Sequence, residues 1–211
     1  MKLLRWIKKF FLFCYYRGKY WPKIWDQRAI MEYSAKELHK CRGLGLTHPE
    51  IRDAVKQILD LKLGELVLDI GCGGGGGLKL CDEEKVPAVG IDFSYEMARL
   101  TKNAIHYPIL NADIRYLPFR HGVFQKIICH SVLHYVPSKD IELALREMVR
   151  VLSPGGLIFI GDLPKKGAKR NWWGFQTIFF AREELENLAR RVSKRIEFVN
   201  LNRDTLDFIL K

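Results

Sequence analysis

LVLDIGCGGGGG, residues 66–77, is the stretch that decides the fold. A short apolar run ending in glycine reads as a buried parallel strand. The glycines after it let the backbone turn tightly and approach a ligand closely. A short helix is expected over 77–84. Strand, glycine turn and helix together open a parallel α/β sheet.

The same texture repeats downstream. PAVGID (87–92), residues 107–111, FQKIICH (124–130) and LIFIGD (157–162) read as further strands. Ser94 is placed to cap a helix running to about Ala104, with Glu96 near its start. Ser138 is placed to cap another ending at Leu152, and residues 181–191 read as a helix. Upstream, residues 28–41 and 48–61 read as helices, with Pro49 in a favourable first turn. RIEFVNL (195–201) and TLDFIL (205–210) alternate in polarity, and the turn between them allows only a hairpin. One edge strand is therefore expected to be antiparallel. The predicted fold is α/β: a doubly wound, seven-stranded, mostly parallel sheet with an antiparallel terminal hairpin, plus N-terminal helices. Ligands of such sheets sit outside the carboxyl ends of the strands.

Composition sets the outer limits. The chain has 211 residues, 48% apolar and 28% charged. That is enough to bury a sizeable core, too apolar for disorder, and without the period of collagen or a coiled coil. Its apolar runs are far short of a bilayer span. The formal net charge is +11 and lies at the two ends. Residues 1–25 carry seven Lys/Arg and no acid, residues 26–164 carry 17 basic and 18 acidic, and residues 165–211 carry 11 basic and six acidic. Such a distribution suits an anionic partner, membrane surface or nucleic acid, and equally suits simple solubility. The five cysteines have neither CxxC nor zinc-ligand spacing, so neither disulfides nor a metal site is expected.

Over MKLLRWIKKFFLFCYYRGKY (1–20), Leu3, Leu4, Ile7, Phe10, Phe11 and Cys14 fall on one helical face, and Lys2, Arg5, Lys8 and Lys9 fall opposite. This is a basic amphipathic helix of the interfacial kind, or one that packs on the body of the domain. The expected organisation is that helix at 1–25, then a domain at 26–211 with a ligand core at 65–162 and a substrate-side loop at 163–180. The expected localisation is cytoplasmic, peripheral on the inner face of the membrane through residues 1–20.

Gly71-x-Gly73-x-x-Gly76 satisfies the dinucleotide pattern, and Asp92 ends the second strand where a carboxylate would accept both ribose hydroxyls. That arrangement serves NAD or S-adenosylmethionine equally. Asp69, two residues before the first glycine, and Asp113, just after the third strand, separate the two. With these acids in place the sequence resembles the class I S-adenosylmethionine-dependent methyltransferases, Rossmann-like and of the type 11 kind. VLDIGCGGGG looks like their motif I, VGIDFS like motif II, and ADIRYLPF like motif III. LREMVRVLSPGGLIFIGD is similar to the helix, turn and fifth strand that follow, and the likeness covers about residues 45–211. It implies that Gly71 and Gly73 border the methionine portion, with Gly75 extending the loop. Asp69 would hold the loop or reach the amino group. Asp92 would bind the ribose, with Phe93 beside it, while Asp113 and Ile114 would hold the adenine.

The acceptor side is read from CHSVLHYV (129–136). An oxygen acceptor needs a base or a pocket that favours its anion. His130, which ends the fourth strand, and His134 are the candidates for that base; His130 also borders the cofactor, and either histidine is equally at home as a packed structural residue. The N-P-P-[YF] tetrad of many base-amino methyltransferases is absent. In LPKKGAKRNWWGFQTIFF (163–180), Lys165, Lys166, Lys169 and Arg170 precede Trp172, Trp173 and Phe175. These residues suit a clamp over an acceptor, stacking on bases, or packing back on the core. The implied activity is methyl transfer to a small-molecule or lipid-linked acceptor, on oxygen, by in-line displacement. The alternatives are a tRNA methyltransferase acting on a modified base, and a cofactor-binding module without turnover.

Overall fold

The computed structural model describes residues 21–32, 46, 49–166, 178–199 and 201–211. Its strands are β1 (Val67–Ile70), β2 (Ala88–Asp92), β3 (Ile109–Asn111), β4 (Phe124–His130), β5 (Leu152–Pro164), β6 (Ile196–Val199) and β7 (Thr205–Leu210). They form one sheet in the order β3-β2-β1-β4-β5-β7-β6. β1 to β5 pair in parallel, and β7 runs antiparallel to both of its neighbours. The strand order reverses beside β1, so the topological switch point falls where the glycine loop leaves the sheet.

Alternation along each strand loads both faces of the sheet. Leu68, Ile70, Ile127, Cys129, Ile158 and Ile160 point into one cluster with Leu145, Met148, Leu185 and Ala189. Val67, Ile128, Phe159 and Ile209 point into a second cluster with Val55, Leu59, Leu78 and Leu80. The helices are α1 (Trp21–Glu32), α2 (Pro49–Leu59), α3 (Gly76–Glu83), α4 (Tyr95–Ala104), α5 (Ile141–Val151) and α6 (Arg182–Arg191), and these partners come from α2, α3, α5 and α6. α2 and α3 cover one face, and α5 and α6 cover the other. Two-sided burial explains why β1 reads as a continuous apolar run rather than an alternating one.

Several expectations change. The reversed strand is β7, and it lies inside the sheet rather than at its edge. All six of its residues are buried because β5 and β6 flank it. The helix expected from residue 28 begins at Trp21. Ser138 opens a 3-10 turn, and α5 starts only at Ile141. β5 is longer than LIFIGD, and its pairing slips twice. Ile160 faces Phe208 and Leu163 faces Leu206, so Gly161 and Asp162 together oppose the single residue Asp207. This is a β-bulge at the carboxyl end of β5. The amphipathic helix of residues 1–20, and the cluster Lys169 to Phe175, lie outside the described residues. Among the described residues, no helix is long and apolar enough to cross a membrane.

α1 is fastened to the rim of the sheet. Ala29 packs on Met97 of α4. The Trp25 ring meets the Tyr135 ring edge-on at 5.7 Å, just after β4. Asp26 Oδ1 accepts from Ser94 Oγ at 2.5 Å and from Glu96 N at 3.1 Å, where α4 begins. Ser94 Oγ in turn accepts from Met97 N at 3.1 Å, which is the N-cap its position implied. One carboxylate thus ties α1 to the start of α4. Asp26→Ala should lower stability by roughly 1 kcal/mol. It should also raise amide exchange over residues 21–32 while leaving exchange in β1 and β4 unchanged, as hydrogen-exchange mass spectrometry would read.

Candidate functional site

The site is built on the glycine loop between β1 and α3. Gly71 and Gly75 hold left-handed backbone at φ 64° and 79°. A Cβ at Gly71 would lie 2.2 Å from Val132 Cγ2, and one at Gly75 would lie 1.9 Å from Ile105 Cδ1. The loop is therefore pressed between the exit of β4 and the end of α4, and only bare backbone fits there. Gly73 also has positive φ, and its N–H points across to β2.

Three side chains hold this loop. Asp92 Oδ2 accepts from Gly73 N at 2.9 Å, and Asp92 Oδ1 accepts from Ser94 N at 2.9 Å. Thr101 Oγ1, buried on α4, donates to the Gly73 carbonyl. Asp69 lies beneath the start of α3, accepts from the Leu78 backbone N–H, and stands against Gly77. A Cβ at Gly77 would fall 2.6 Å from Asp69 Oδ2. Asp69 is thus in the position that holds the loop, and its Oδ2 is buried without a hydrogen-bond partner among the described residues.

Burial sets the charge state of both acids. Desolvation pushes the Asp69 carboxyl up to about 7, with Leu78 N–H opposing and the Asp92 charge adding. Desolvation likewise raises Asp92 to about 6, against the backbone donors of Ser94 and Gly73. The Asp92 side chain remains half-buried at the rim, so its carboxylate can still meet a ligand. Phe93, next in the chain, is exposed.

The remaining expected residues are distributed unequally. Asp113 is engaged by Arg115, whose Nε lies 3.0 Å and Nη2 2.7 Å from Asp113 Oδ2. Arg115 Nη1 continues to Asp140 Oδ2 at 2.8 Å. An adenine amino group would have to share Asp113 with this guanidinium. Ile114 is 7% exposed and belongs to the core on the α5 side. His130 ends β4 opposite Gly161, and its ring lies parallel to Phe159 at 6.3 Å. His134 is fully buried, its ring 4.0 Å from that of Tyr135, and its carbonyl accepts from Ile178 N. The fold therefore gathers Asp69, Gly71, Gly73, Gly75 and Asp92 around one loop. It places His130 at the neighbouring strand end and His134 in the interior.

Thr101, Asp26 and Arg115 are absent from the sequence reading. Thr101 had a signal: it follows Met97 and Ala98 on the buried face of α4, where a hydroxyl needs a partner. Arg115 also had one, standing two residues after Asp113. Asp26 had none, because it meets Ser94 from 68 residues away.

Gly75→Ala should destabilise the protein by about 1–3 kcal/mol, since the new Cβ meets Ile105 and the backbone stays left-handed. A urea titration checks this. Asp69 and Asp92 also bind protons more tightly folded than unfolded. Their contribution is fully present below the unfolded carboxyl range near 3.8 and is lost as pH rises through about 6 to 7. Stability of the ligand-free protein should fall between about pH 4.5 and pH 7.5. Asp69→Asn should flatten that slope, as urea midpoints at the two pH values would report.

Residues 68–160 match the family model described as a methyltransferase domain. An uncharacterized protein of Methanocaldococcus jannaschii is 36% identical over 138 residues, 63% of this chain and 51% of that protein. The probable tRNA methyltransferase 9B of Mus musculus is 38% identical over 108 residues, 50% of this chain and 24% of that one. The demethylmenaquinone methyltransferase of Staphylococcus carnosus is 31% identical over 117 residues, 52% and 48% of the two chains. The chain thus spans about half or less of the length of these relatives. Among solved structures, the Haloferax volcanii methyltransferase in complex with the Trm112 activator superposes with a TM-score of 0.72 at 16% identity, covering 88% of this chain and 96% of that one. That likeness bears on the fold alone. Residues 68–160, which carry the glycine loop and most of the parallel strands, are thus similar to methyltransferase domains.

Proposed function

We propose that this chain binds S-adenosylmethionine at the β1–β2 edge and transfers its methyl group to oxygen of a small-molecule or lipid-linked acceptor. The observation that carries the reading is the Asp92 carboxylate. It is fastened by the backbone N–H groups of Gly73, Ser94 and Phe93, and it stands at the rim beside the bare glycine backbone. The remaining acceptor capacity suits vicinal ribose hydroxyls. The residues present fit such a ligand. Gly71, Gly73 and Gly75 would border its amino-acid portion, Asp92 its ribose, and Phe93, Ile114 and Asp113 its base. When bound, the sulfonium supplies an electrophilic methyl carbon and a neutral thioether leaving group. The protein's part is to position the acceptor, exclude water and receive or direct the acceptor's proton. In this reading His130, at the end of the strand beside the loop, takes that role.

A second reading, a tRNA methyltransferase, is favoured by the likeness to the tRNA methyltransferase 9B of Mus musculus and by the net charge of +11. The basic segment at 1–20 serves either reading, through anionic lipid or through phosphate.

S-adenosylhomocysteine should bind the full chain by calorimetry, and NADH should not compete. Asp92→Asn should weaken binding roughly ten- to hundredfold, as expected for losing hydrogen bonds to a charge. Affinity of the wild type should fall as pH drops below about 6, because the ligand meets the ionised carboxylate. Normal affinity in Asp92→Asn would remove the assignment. Labelled methyl donor in a lysate separates the acceptors. Label in the organic or small-metabolite fraction supports the first reading, and label in RNA supports the second.

A further inference from the structure

The exits of β4 and β5 carry a pair of residues that lie outside the loop and acids proposed to hold the cofactor. Ser131 follows β4 directly, and Asp162 lies in the bulge near the end of β5. Both hold left-handed backbone, each at φ 59°, although neither is glycine. Such conformations persist only where the surroundings impose them, and they concentrate at functional sites.

The surroundings here are specific. Ser131 N donates to the Gly161 carbonyl at 3.0 Å. Asp162 N donates to Asp207 Oδ1 at 2.7 Å, and Asp207 Oδ2 accepts from Thr205 Oγ1 at 2.9 Å. Asp207 and Thr205 are both buried in β7. A buried carboxylate in the middle of a sheet is thus committed to holding one bulge. A Cβ at Gly161 would strike Phe159 and His130, so the bulge also needs glycine at that place. The bulge directs Asp162 toward β4, and Ser131 Oγ donates to Asp162 Oδ2. Both side chains stay half-buried at the carboxyl edge. Val132, the next residue, is the one that presses on Gly71 of the cofactor loop. The pair therefore adjoins the cofactor loop, on the side away from Asp92 and the β2 exit.

A serine hydroxyl has one proton and two lone pairs. With that proton given to Asp162, Ser131 offers a ligand only lone pairs, and the carboxylate makes them more electron-rich. We propose that Ser131, oriented by Asp162, is the specificity-determining contact for the acceptor: it receives a hydrogen bond from a hydroxyl or amine group and disfavours a carboxylate, which has only lone pairs to present. This rests on the proposed methyl transfer, and it replaces the oxygen-only acceptor of that reading with one that bears a hydroxyl or an amine. Ser131 would touch the acceptor, and Asp162 is a positioning residue that fixes which way the serine proton points.

The test uses the full-length protein with saturating S-adenosylhomocysteine and three isosteric probes: benzyl alcohol, benzylamine and benzoate. Binding is read by ligand-observed NMR. The wild type should bind the alcohol and the amine and prefer both to benzoate by about tenfold. A net charge of +11 would by itself favour benzoate, so that order cannot come from the overall field. Asp162→Asn should reverse the preference, because the amide can donate to Ser131 and free the serine proton to point outward. Ser131→Gly should lose the discrimination and keep or raise the melting temperature, since glycine holds the same φ without strain. A merely structural serine would instead lose stability in that variant and leave the probe order intact. Benzoate bound as well as the alcohol by the wild type, no binding of any probe, or an unchanged order in Asp162→Asn would each overturn the proposal.

The transferred label gives a second reading. Methyl esters release labelled methanol in mild alkali, whereas ethers and methylamines do not. Alkali-stable label supports the proposal, and alkali-labile label overturns it. Failure of the wild type to bind S-adenosylhomocysteine would instead remove the cofactor assignment, and is seen separately by calorimetry.

Discussion

The hydrogen bond from Gly73 N to Asp92 Oδ2 joins two connections that the sheet alone leaves apart. Parallel pairing aligns β1 with β2 only as far as Ile70 and Ile91. Beyond those residues one backbone bond, Cys72 N to the Ile91 carbonyl at 2.9 Å, continues the pairing, and side chains hold the rest of the loop. Asp92 does this from one side, and Thr101 grips the Gly73 carbonyl from α4. Asp69 supports the start of α3 from beneath. The shape of the glycine loop is thus fixed by contacts made within the chain itself.

That arrangement is held at an electrostatic cost. Asp69 and Asp92 are raised to about 7 and about 6 because water is largely excluded from them, and the Asp92 charge further opposes ionisation of Asp69. Asp207 on β7 is raised for the same reason. None of the three is justified by stability, since a buried carboxyl with few donors weakens a fold more readily than it strengthens it. All three stand at backbone irregularities on the carboxyl side of the sheet. Asp69 and Asp92 hold the glycine loop, and Asp207 holds the β5 bulge. These three acids therefore mark where the sheet departs from regular geometry to present chemistry.

The two halves of the carboxyl edge differ in kind. The β1–β2 half is backbone and carboxylate, suited to hydroxyl and amino groups of a cofactor. The β4–β5 half carries His130, Ser131 and Asp162, and α1 reaches over the rim between them, from Asp26 at α4 to Trp25 at Tyr135. Arg115 closes the β3 side by engaging both Asp113 and Asp140. In this chain the acid expected to read adenine is therefore also part of an ion-pair network that links the β3 exit to the start of α5.

The strand-and-helix alternation, the glycine loop and Asp92 were legible in the sequence because each is a local pattern. An apolar run, a glycine cluster and an acid about 20 residues later carry their meaning within one βαβ unit. Ser94 was legible as a cap for the same reason. The place of β7 was not, since a hairpin fixes the direction of two strands but not which of them pairs with β5. The pairing of Ser131 with Asp162, 31 residues apart, and of Asp26 with Ser94, 68 apart, has no trace in local spacing. Asp113 could be read as a strand-end acid, but not as one already shared with Arg115 and Asp140. The sequence by itself determined the sheet, the loop and the acid that fastens it, because short-range periodicity and backbone freedom dictate them. Only the tertiary structure decided which polar groups share protons, because that depends on where distant strand ends come to lie side by side.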